Sequence, residues 1–247
     1  MTTIYAIGDI HGHLGPLKVL HERIERDRDR HGTHFANVVH LGDLIDRGPD
    51  SADVVDWLMR GQANDLRWIV LTGNHDQLFL EFLENPGFHN PQLRSDLSWL
   101  HPKLGGLTTL ESYGVDIAAH RDTLDLWRDA VAMVPAAHRE YLQNLPRSHH
   151  APGLFFAHAG IRPDVELEDQ DPDDLIWIRR DFLNHTGTHP ALIVHGHTPL
   201  PAPRRYHNRL NLDGGAGYGR SMVAVVIDGG EVYRLTARGR QKMPVAR

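Results

Sequence analysis

The chain of 247 residues contains no cysteine. That absence excludes a disulfide framework, a thiolate zinc site and a cysteine nucleophile together. No run of about 20 apolar residues occurs, and the opening MTTIYAIGD carries neither a basic leader nor a long apolar stretch, so no membrane span and no secretory leader is expected. The protein reads as soluble and cytoplasmic. Positive charge is not in excess either: 26 Lys and Arg stand against 32 Asp and Glu, a formal net charge of −6. A binder of nucleic-acid polymers would need a local basic patch. The basic residues that close the chain, Arg234, Arg238, Arg240, Lys242 and Arg247, read instead as a solvated or frayed terminus.

Histidine, by contrast, is abundant at 19 residues. Neutral imidazole is a common ligand for divalent metals and the usual acid or base near neutral pH. Most of these histidines, His21 and His138 among them, sit in polar segments with no companion carboxylate at a strand end and are expected to be bland.

With 40% hydrophobic residues, residues 1–247 can bury one large α/β core. Apolar periodicity predicts a strand over 4–7 and a helix over 13–30, where Leu14, Leu17, Leu20 and Ile24 recur at helical spacing before an ERDRDR run that reads as a solvated helix end. A strand over 36–41, a helix over 51–60, a strand over 67–72 and a helix from 76 follow, an alternation that implies parallel pairing. From about 85 to 146, helical segments broken by proline and glycine predict an inserted helical lobe. Strands return at 153–158, 191–195, 209–213, 221–227 and 231–236, the last three read as antiparallel.

Each early strand runs into a polar cluster: GDIHG at 8–12, GDLIDRG at 42–48, GNHD at 73–76, then HAG at 158–160 and HGHT at 195–198. In an open α/β sheet such strand ends converge on one crevice. Asp9 and His11, two apart on an extended segment, would project to the same side, and Asp43 at the neighbouring strand end could bridge two cations. Asn74, His158 and a histidine of HGHT would complete the second shell. That inventory suits two borderline divalent metals, and two such ions activate water and clamp the oxygens of an in-line displacement at phosphorus. Arg47 then binds phosphate oxygens. His75 is placed to protonate the departing alkoxide, with Asp46 holding its tautomer.

The ordered motifs GDIHG, GDLIDRG, GNHD, HAG and GHT resemble the calcineurin-like metallophosphoesterases, and within them the bacterial serine/threonine protein phosphatases related to symmetrical diadenosine tetraphosphate hydrolase. The resemblance extends through WLHPKLGGLTTLESYG (99–114), LIWIRRDFL (175–183) and NRLNLDGGAGYG (208–219). It implies a four-layer αββα sandwich of two facing mixed sheets, with one metal on Asp9, His11 and Asp43 and the other on Asp43, Asn74, His158 and His197. His197 is preferred to His195 because the family's ligand follows the glycine. Pro199 stands where the wider superfamily often has a further histidine. A second phosphate-binding arginine is expected at Arg179, with Arg180 in reserve. Manganese is the expected metal, and the donors also admit Fe, Zn, Co or Ni.

The resemblance further implies a phosphoesterase acting on a phosphorylated protein or a small phosphoester. The related dinucleotide hydrolases carry alanine at the position of Asp46, so the intact DRG points to phosphoserine or phosphothreonine as substrate, with diadenosine tetraphosphate or a broad phosphomonoesterase as the alternative. An inactive phosphoprotein-docking module would have lost at least one chemical residue, and none is missing. GGAGYGR at 214–220 is not a dinucleotide loop, because Arg220 occupies the third glycine position, and it reads as a tight turn close to the metals. DPDD at 171–174 lacks the spacing of a calcium loop and reads as an acidic helix start.

Overall fold

The first strand, β1 (Thr3–Ile7), is buried along its whole length. Ile4 and Ala6 enter one apolar cluster and Tyr5 and Ile7 another; a strand apolar on both faces demands a covering layer on each side. A computed structural model, which describes residues 3–246, supplies both layers. β1 pairs in parallel with β2 (Asn37–His40), and β2 with β3 (Trp68–Val70). The connections are the helices α1 (Leu14–His31) and α2 (Ser51–Asn64), and α3 (Asn74–Glu84) leaves β3. The second sheet contains β4 (Ser148–Ala151), β5 (Leu154–Ala157), β6 (Leu192–His195), β7 (Arg204–Arg205) and β8 (Arg209–Asn211), in the order β4-β5-β6-β8-β7. The hairpin of β9 (Ala224–Asp228) and β10 (Glu231–Thr236) joins β1 antiparallel, with β11 (Gly239–Lys242) at the edge, so the first sheet reads β11-β10-β9-β1-β2-β3.

The two sheets face each other across Ile4, Ala6, Val39, Leu41, Phe156 and Val194. The outer face of the first is covered by α1, α2 and α3, and by α4 (Gly106–Ser112), α5 (Thr123–Met133) and α6 (Ala136–Gln143), whose Leu110, Ala130 and Leu142 join the same cluster as Leu17 and Val54. The outer face of the second packs Phe155 and Ile193 against Ile176 of α7 (Asp174–Trp177) and Phe182 of α8 (Arg180–Leu183). This is the expected αββα order. Among the described residues, no helix is long and apolar enough to cross a membrane.

Several expectations need correction. The terminal basic run is not a frayed tail: residues 239–242 form β11, and Arg240 pairs with Asp27 and Asp228 at 2.9 and 2.8 Å. Arg234 lies on β10, Lys242 pairs with Glu231 at 3.2 Å, and Arg247 falls outside the described residues. The ERDRDR run is only partly solvated. Asp27 is buried and accepts the Tyr5 hydroxyl, and Arg28 is buried against the carbonyl of Ala36. Residues 209–211 do not continue into the β9–β10 hairpin; they pair in parallel with β6 in the other sheet. The short strands β4, β7 and β11 carry no clear apolar alternation, and pairing with neighbours alone makes them strands.

His21 is not bland in its surroundings either. It is buried beneath Trp57 and Trp68, with its Nε2 at 2.9 Å from His40 Nε2. His40 Nδ1 donates to Ile69 O at 3.1 Å, so His40 Nε2 must accept and His21 Nε2–H must donate. One proton lies between the two rings, and burial disfavours a further one on either. Burial pushes His21 down to about 2 and His40 down to about 4. Both sit near 6.5 when unfolded, so below that pH the unfolded chain binds protons that the folded chain refuses. Stability then falls as pH drops, by about 1.4 kcal/mol per pH unit per histidine, down to the folded values. Urea unfolding between pH 6.5 and 5 should show the wild type losing stability more steeply than His21→Gln, the difference corresponding to about one proton. Parallel slopes would show that His21 is not held neutral.

Candidate functional site

Backbone hydrogen bonds draw the polar strand ends together. His11 N and Gly12 N donate to Asp43 O and Leu44 O at 2.8 and 2.9 Å, and Gly48 N returns to His11 O at 3.1 Å. Asp76, at the first turn of α3, accepts Gly73 N on one oxygen at 2.8 Å and Leu44 N on the other at 3.0 Å. In the second sheet, Gly196 N donates to His158 O at 2.8 Å. The side chains are then aimed by unusual backbone. His11, Asp43, Asp46, Arg47 and His197 all have φ between +48 and +71°, and among the described residues only Asp164 joins them outside glycine. Asp and His tolerate this left-handed region better than most residues, yet each such residue costs of order 1–3 kcal/mol and persists only where packing over-determines it.

Asp43 lies at the centre. Its Oδ1 accepts His75 N–H at 3.0 Å and stands 3.3 Å from His158 Nε2, while Oδ2 stands 3.5 Å from His11 Nε2. One carboxylate therefore faces two imidazoles on opposite sides. His11 Nδ1 donates to Ile45 O and His158 Nδ1 to Leu41 O, each at 2.9 Å. Both Nε2 lone pairs are thereby turned inward, the arrangement by which carbonyls orient histidines toward a metal. Asn74 Oδ1 is 2.8 Å from His197 Nδ1 and 3.1 Å from His158 Nε2. Two groups of ligand atoms result, each within 4.8 Å of one another: His11, Asp43 and His75, and Asp43, His158 and His197. The oxygen and imidazole donors fit divalent ions of borderline softness.

Asp9 is placed differently from the same-side arrangement with His11 that the sequence suggested. Asp9 belongs to neither of the two groups; its carboxylate accepts His197 N–H at 3.2 and 3.3 Å, and His11 leaves the extended conformation at φ +48°. Gly196 must be glycine there, since a Cβ would collide with Asp9 Oδ1. The electrostatics show a shortage of positive charge. Burial, then the neighbouring Asp213, holds the Asp9 carboxyl well above its ordinary range. Burial also opposes ionisation of Asp43, but His158 and His75 outweigh it and hold Asp43 well below. Burial opposes charge on His158, yet Asp43 and Asp9 overcome it and raise His158 to about 9. Buried carboxylates thus draw a proton onto an imidazole that a cation would otherwise neutralise.

A second constellation adjoins the first. His75 Nδ1 is 2.6 Å from Asp46 Oδ2, and its Nε2 faces the guanidinium of Arg47 at 3.1 Å; the same guanidinium meets His11 Nε2 at 2.9 Å. Asp46 is completely buried and accepts Trp99 Nε1–H at 2.9 Å and the Thr109 hydroxyl at 2.7 Å. Trp99 packs in the core, and its polar end carries a duty that sequence reading missed; the parts played by Thr109, Asp76 and Asp213 were missed too. Both Trp99 and Thr109 lie in the 99–114 stretch that carries the resemblance, but nothing local in it names Asp46 as their partner, since the contacts cross 53 and 63 residues. Arg179 is exposed at the N-cap of α8, close enough to His197 to disfavour its protonation after burial and His158; Arg180 lies one residue into the helix. His195 is buried away from the cluster, and its Nδ1 donates to Gly196 O at 3.1 Å. The 214–220 turn does pass close by: a Cβ at Gly217 would come within 2.5 Å of His11 Cδ2.

Comparison with known proteins agrees with this geometry. Residues 2–220 match the family described as calcineurin-like phosphoesterase. The asymmetrical bis(5'-nucleosyl)-tetraphosphatase PrpE of Anoxybacillus flavithermus is 26% identical, over 89% of this chain and 88% of that protein. Among solved structures, a cold-active protein tyrosine phosphatase superposes with a TM-score of 0.65 at 16% identity, over 99% of this chain and 79% of that one. A protein provisionally assigned as a diadenosine tetraphosphatase gives 0.63 at 21% identity, over 99% and 95%. At these identities the two structures speak for the fold.

Trp99→Phe keeps a ring in the core and removes the indole donor to Asp46. Loss of one partner from a buried carboxylate should cost about 1–3 kcal/mol of stability, read from chemical denaturation. An unchanged midpoint would show that the Trp99–Asp46 bond is energetically idle.

Proposed function

The chain belongs to the calcineurin-like phosphoesterase family, and from that premise we propose that it is a two-metal phosphatase acting on phosphoserine and phosphothreonine esters. The observation that carries this reading is the 2.6 Å contact between the buried Asp46 carboxylate and His75 Nδ1. A seryl or threonyl alkoxide is a poor leaving group and needs a proton as the P–O bond breaks. Asp46, held by Trp99 and Thr109, fixes Nδ1–H of His75 and stabilises its imidazolium, so that once Arg47, which donates to Nε2 in this structure, turns to the phosphate, Nε2–H is the proton delivered. The departing oxygen takes that proton, and His75 is left neutral.

In this proposal Asp9, His11 and Asp43 hold one ion, and Asp43, Asn74, His158 and His197 the other. When bound, the two ions supply charge for the phosphoryl oxygens and acidify water for in-line attack. Manganese suits the donors, as do Fe, Zn, Co and Ni. Arg47, already at the junction of the two imidazoles, and Arg179, beside His197, orient the phosphoryl group through their forked N–H donors. Residues 85–146 act as a helical cap that shapes the approach. A second reading is hydrolysis of dinucleoside polyphosphates, which the name of the Anoxybacillus relative favours. There the leaving group is itself a phosphate and needs no proton donor.

Asp43→Asn removes the charge shared by both groups, and metal analysis of the purified protein should fall from two divalent ions per chain to one or none; retention of both with full activity would reject the bridging role. His75→Asn should lower kcat on phosphoserine peptides by about 10²–10⁴-fold and affect p-nitrophenyl phosphate far less. Equal losses on both would remove His75 as proton donor. With Mn²⁺, kcat/KM for phosphoserine, phosphothreonine and phosphotyrosine peptides and for diadenosine tetraphosphate decides between the readings, and a preference for the dinucleotide overturns the first.

A further inference from the structure

A cleft of about 620 Å³ opens between the N-terminal half of α1 and the segment 219–222. Its lining carries Arg23, Arg220 and Arg234 beside the apolar Val19 and Met222. Among the described residues none of these three guanidinium groups has a carboxylate within 4.0 Å, whereas Arg240 on the adjoining strand is held by Asp27 and Asp228. Arg23 Nε is buried with no hydrogen-bond partner, and its Nη1 reaches Leu235 O only at 3.5 Å. In a chain of net charge −6, three unpaired guanidinium groups facing one cleft reverse the local sign and attract anions.

The 214–220 turn stands between the cleft and the proposed metal centre, with the Tyr218 ring 4.6 Å from the Arg47 guanidinium and 6.0 Å from that of Arg220. β9 and β10 run antiparallel to each other, and Arg234 lies opposite Val225, at the sheet end where β1 delivers Asp9. His13 Nε2–H donates to Ala216 O at 3.1 Å, which pins the start of α1 to the 214–220 turn. On one side of that turn the Arg220 guanidinium lies against Gly215, at the space a Cβ would take. On the other, Gly217 closes on His11 and on Arg47 Cδ, at 2.5 and 2.7 Å from where its Cβ would be. Arg220 is thus three positions along the chain from Gly217, which packs on His11 and Arg47.

We propose that this cleft is an anion subsite that holds the further phosphates of a polyphosphorylated nucleotide while the reacting phosphorus lies at the metal centre. The proposal rests on the dinucleotide reading above. Arginine forks match phosphate oxygens bidentately, and the apolar wall offers a surface for the attached nucleoside. A simple monoester has nothing to place there.

The test uses the Mn²⁺-loaded full chain and the variants Arg220→Gln, Arg234→Gln and their combination, each with an unchanged thermal midpoint as the folding control. KM for diadenosine tetraphosphate should rise about tenfold per arginine, the worth of one charge-assisted hydrogen bond. kcat should hold, and p-nitrophenyl phosphate should be hydrolysed as before. Equal changes on both substrates, or none on either, would overturn the subsite. A rise confined to a phosphoserine peptide flanked by acidic residues would overturn its polyphosphate assignment. If the wild type does not turn over diadenosine tetraphosphate, the dinucleotide reading fails by itself. The subsite is then judged by inhibition of p-nitrophenyl phosphate hydrolysis at fixed free Mn²⁺. Tripolyphosphate should weaken by tenfold or more in the double variant while orthophosphate is unaffected, and an unchanged ratio would reject it.

Discussion

The Asp43 carboxylate, 2% exposed and set between His11 and His158, is the constraint around which the molecule is arranged. A buried carboxylate without compensation is too costly to keep ionised. Imidazoles come to it from both sides, and its own backbone carbonyl receives His11 N–H, so the loop that carries Asp43 also positions one of its partners. His75 N–H, on the same oxygen that faces His158, ties the start of α3 to the same point. Moving any one of these groups would leave a charge or a donor unsatisfied.

That arrangement asks the backbone for conformations it does not favour. The left-handed residues His11, Asp43, Asp46, Arg47 and His197 fall in loops that follow strands buried along all or most of their length. The clustering suggests where the binding energy of the sandwich core is spent. Asp76 serves the same end from below, since one carboxylate stitches the turn after β2 to the first turn of α3. Burial, then Asp43, pushes Asp76 up to about 8, another sign that negative charge is crowded here.

The candidate site is also a contact between the two sheets. Asp9, His11, Asp43 and Asn74 follow strands of the first, and His158 and His197 follow strands of the second. Asn74 Oδ1 reaches both His158 and His197, and Asp43, Asp9 and the Leu41 carbonyl also join the halves. The apolar layer between the sheets therefore does more than stabilise: it sets the separation across which the proposed second ion would be held. The Asp46–His75 pair depends instead on the helical segment, through Trp99 and Thr109, so residues remote from the strands position the proposed proton donor.

The sequence by itself determined the alternation of strands and helices, the polar clusters at strand ends and the choice of chemistry, because these rest on local periodicity and on residue types that few other sites would assemble. The contact between Asp46 and His75 was legible too, from the chemistry of the DRG and GNHD clusters. What only the tertiary structure decided were pairings without a local signal: β11 made from a basic run, residues 209–211 assigned to the second sheet, His21 sharing a proton with His40, Trp99 and Thr109 holding Asp46, and Arg23, Arg220 and Arg234 gathered on one cleft. In each case the deciding energy comes from groups far apart along the chain. Charge pairing, burial and satisfied hydrogen bonds act through space, and no stretch of neighbouring residues records them.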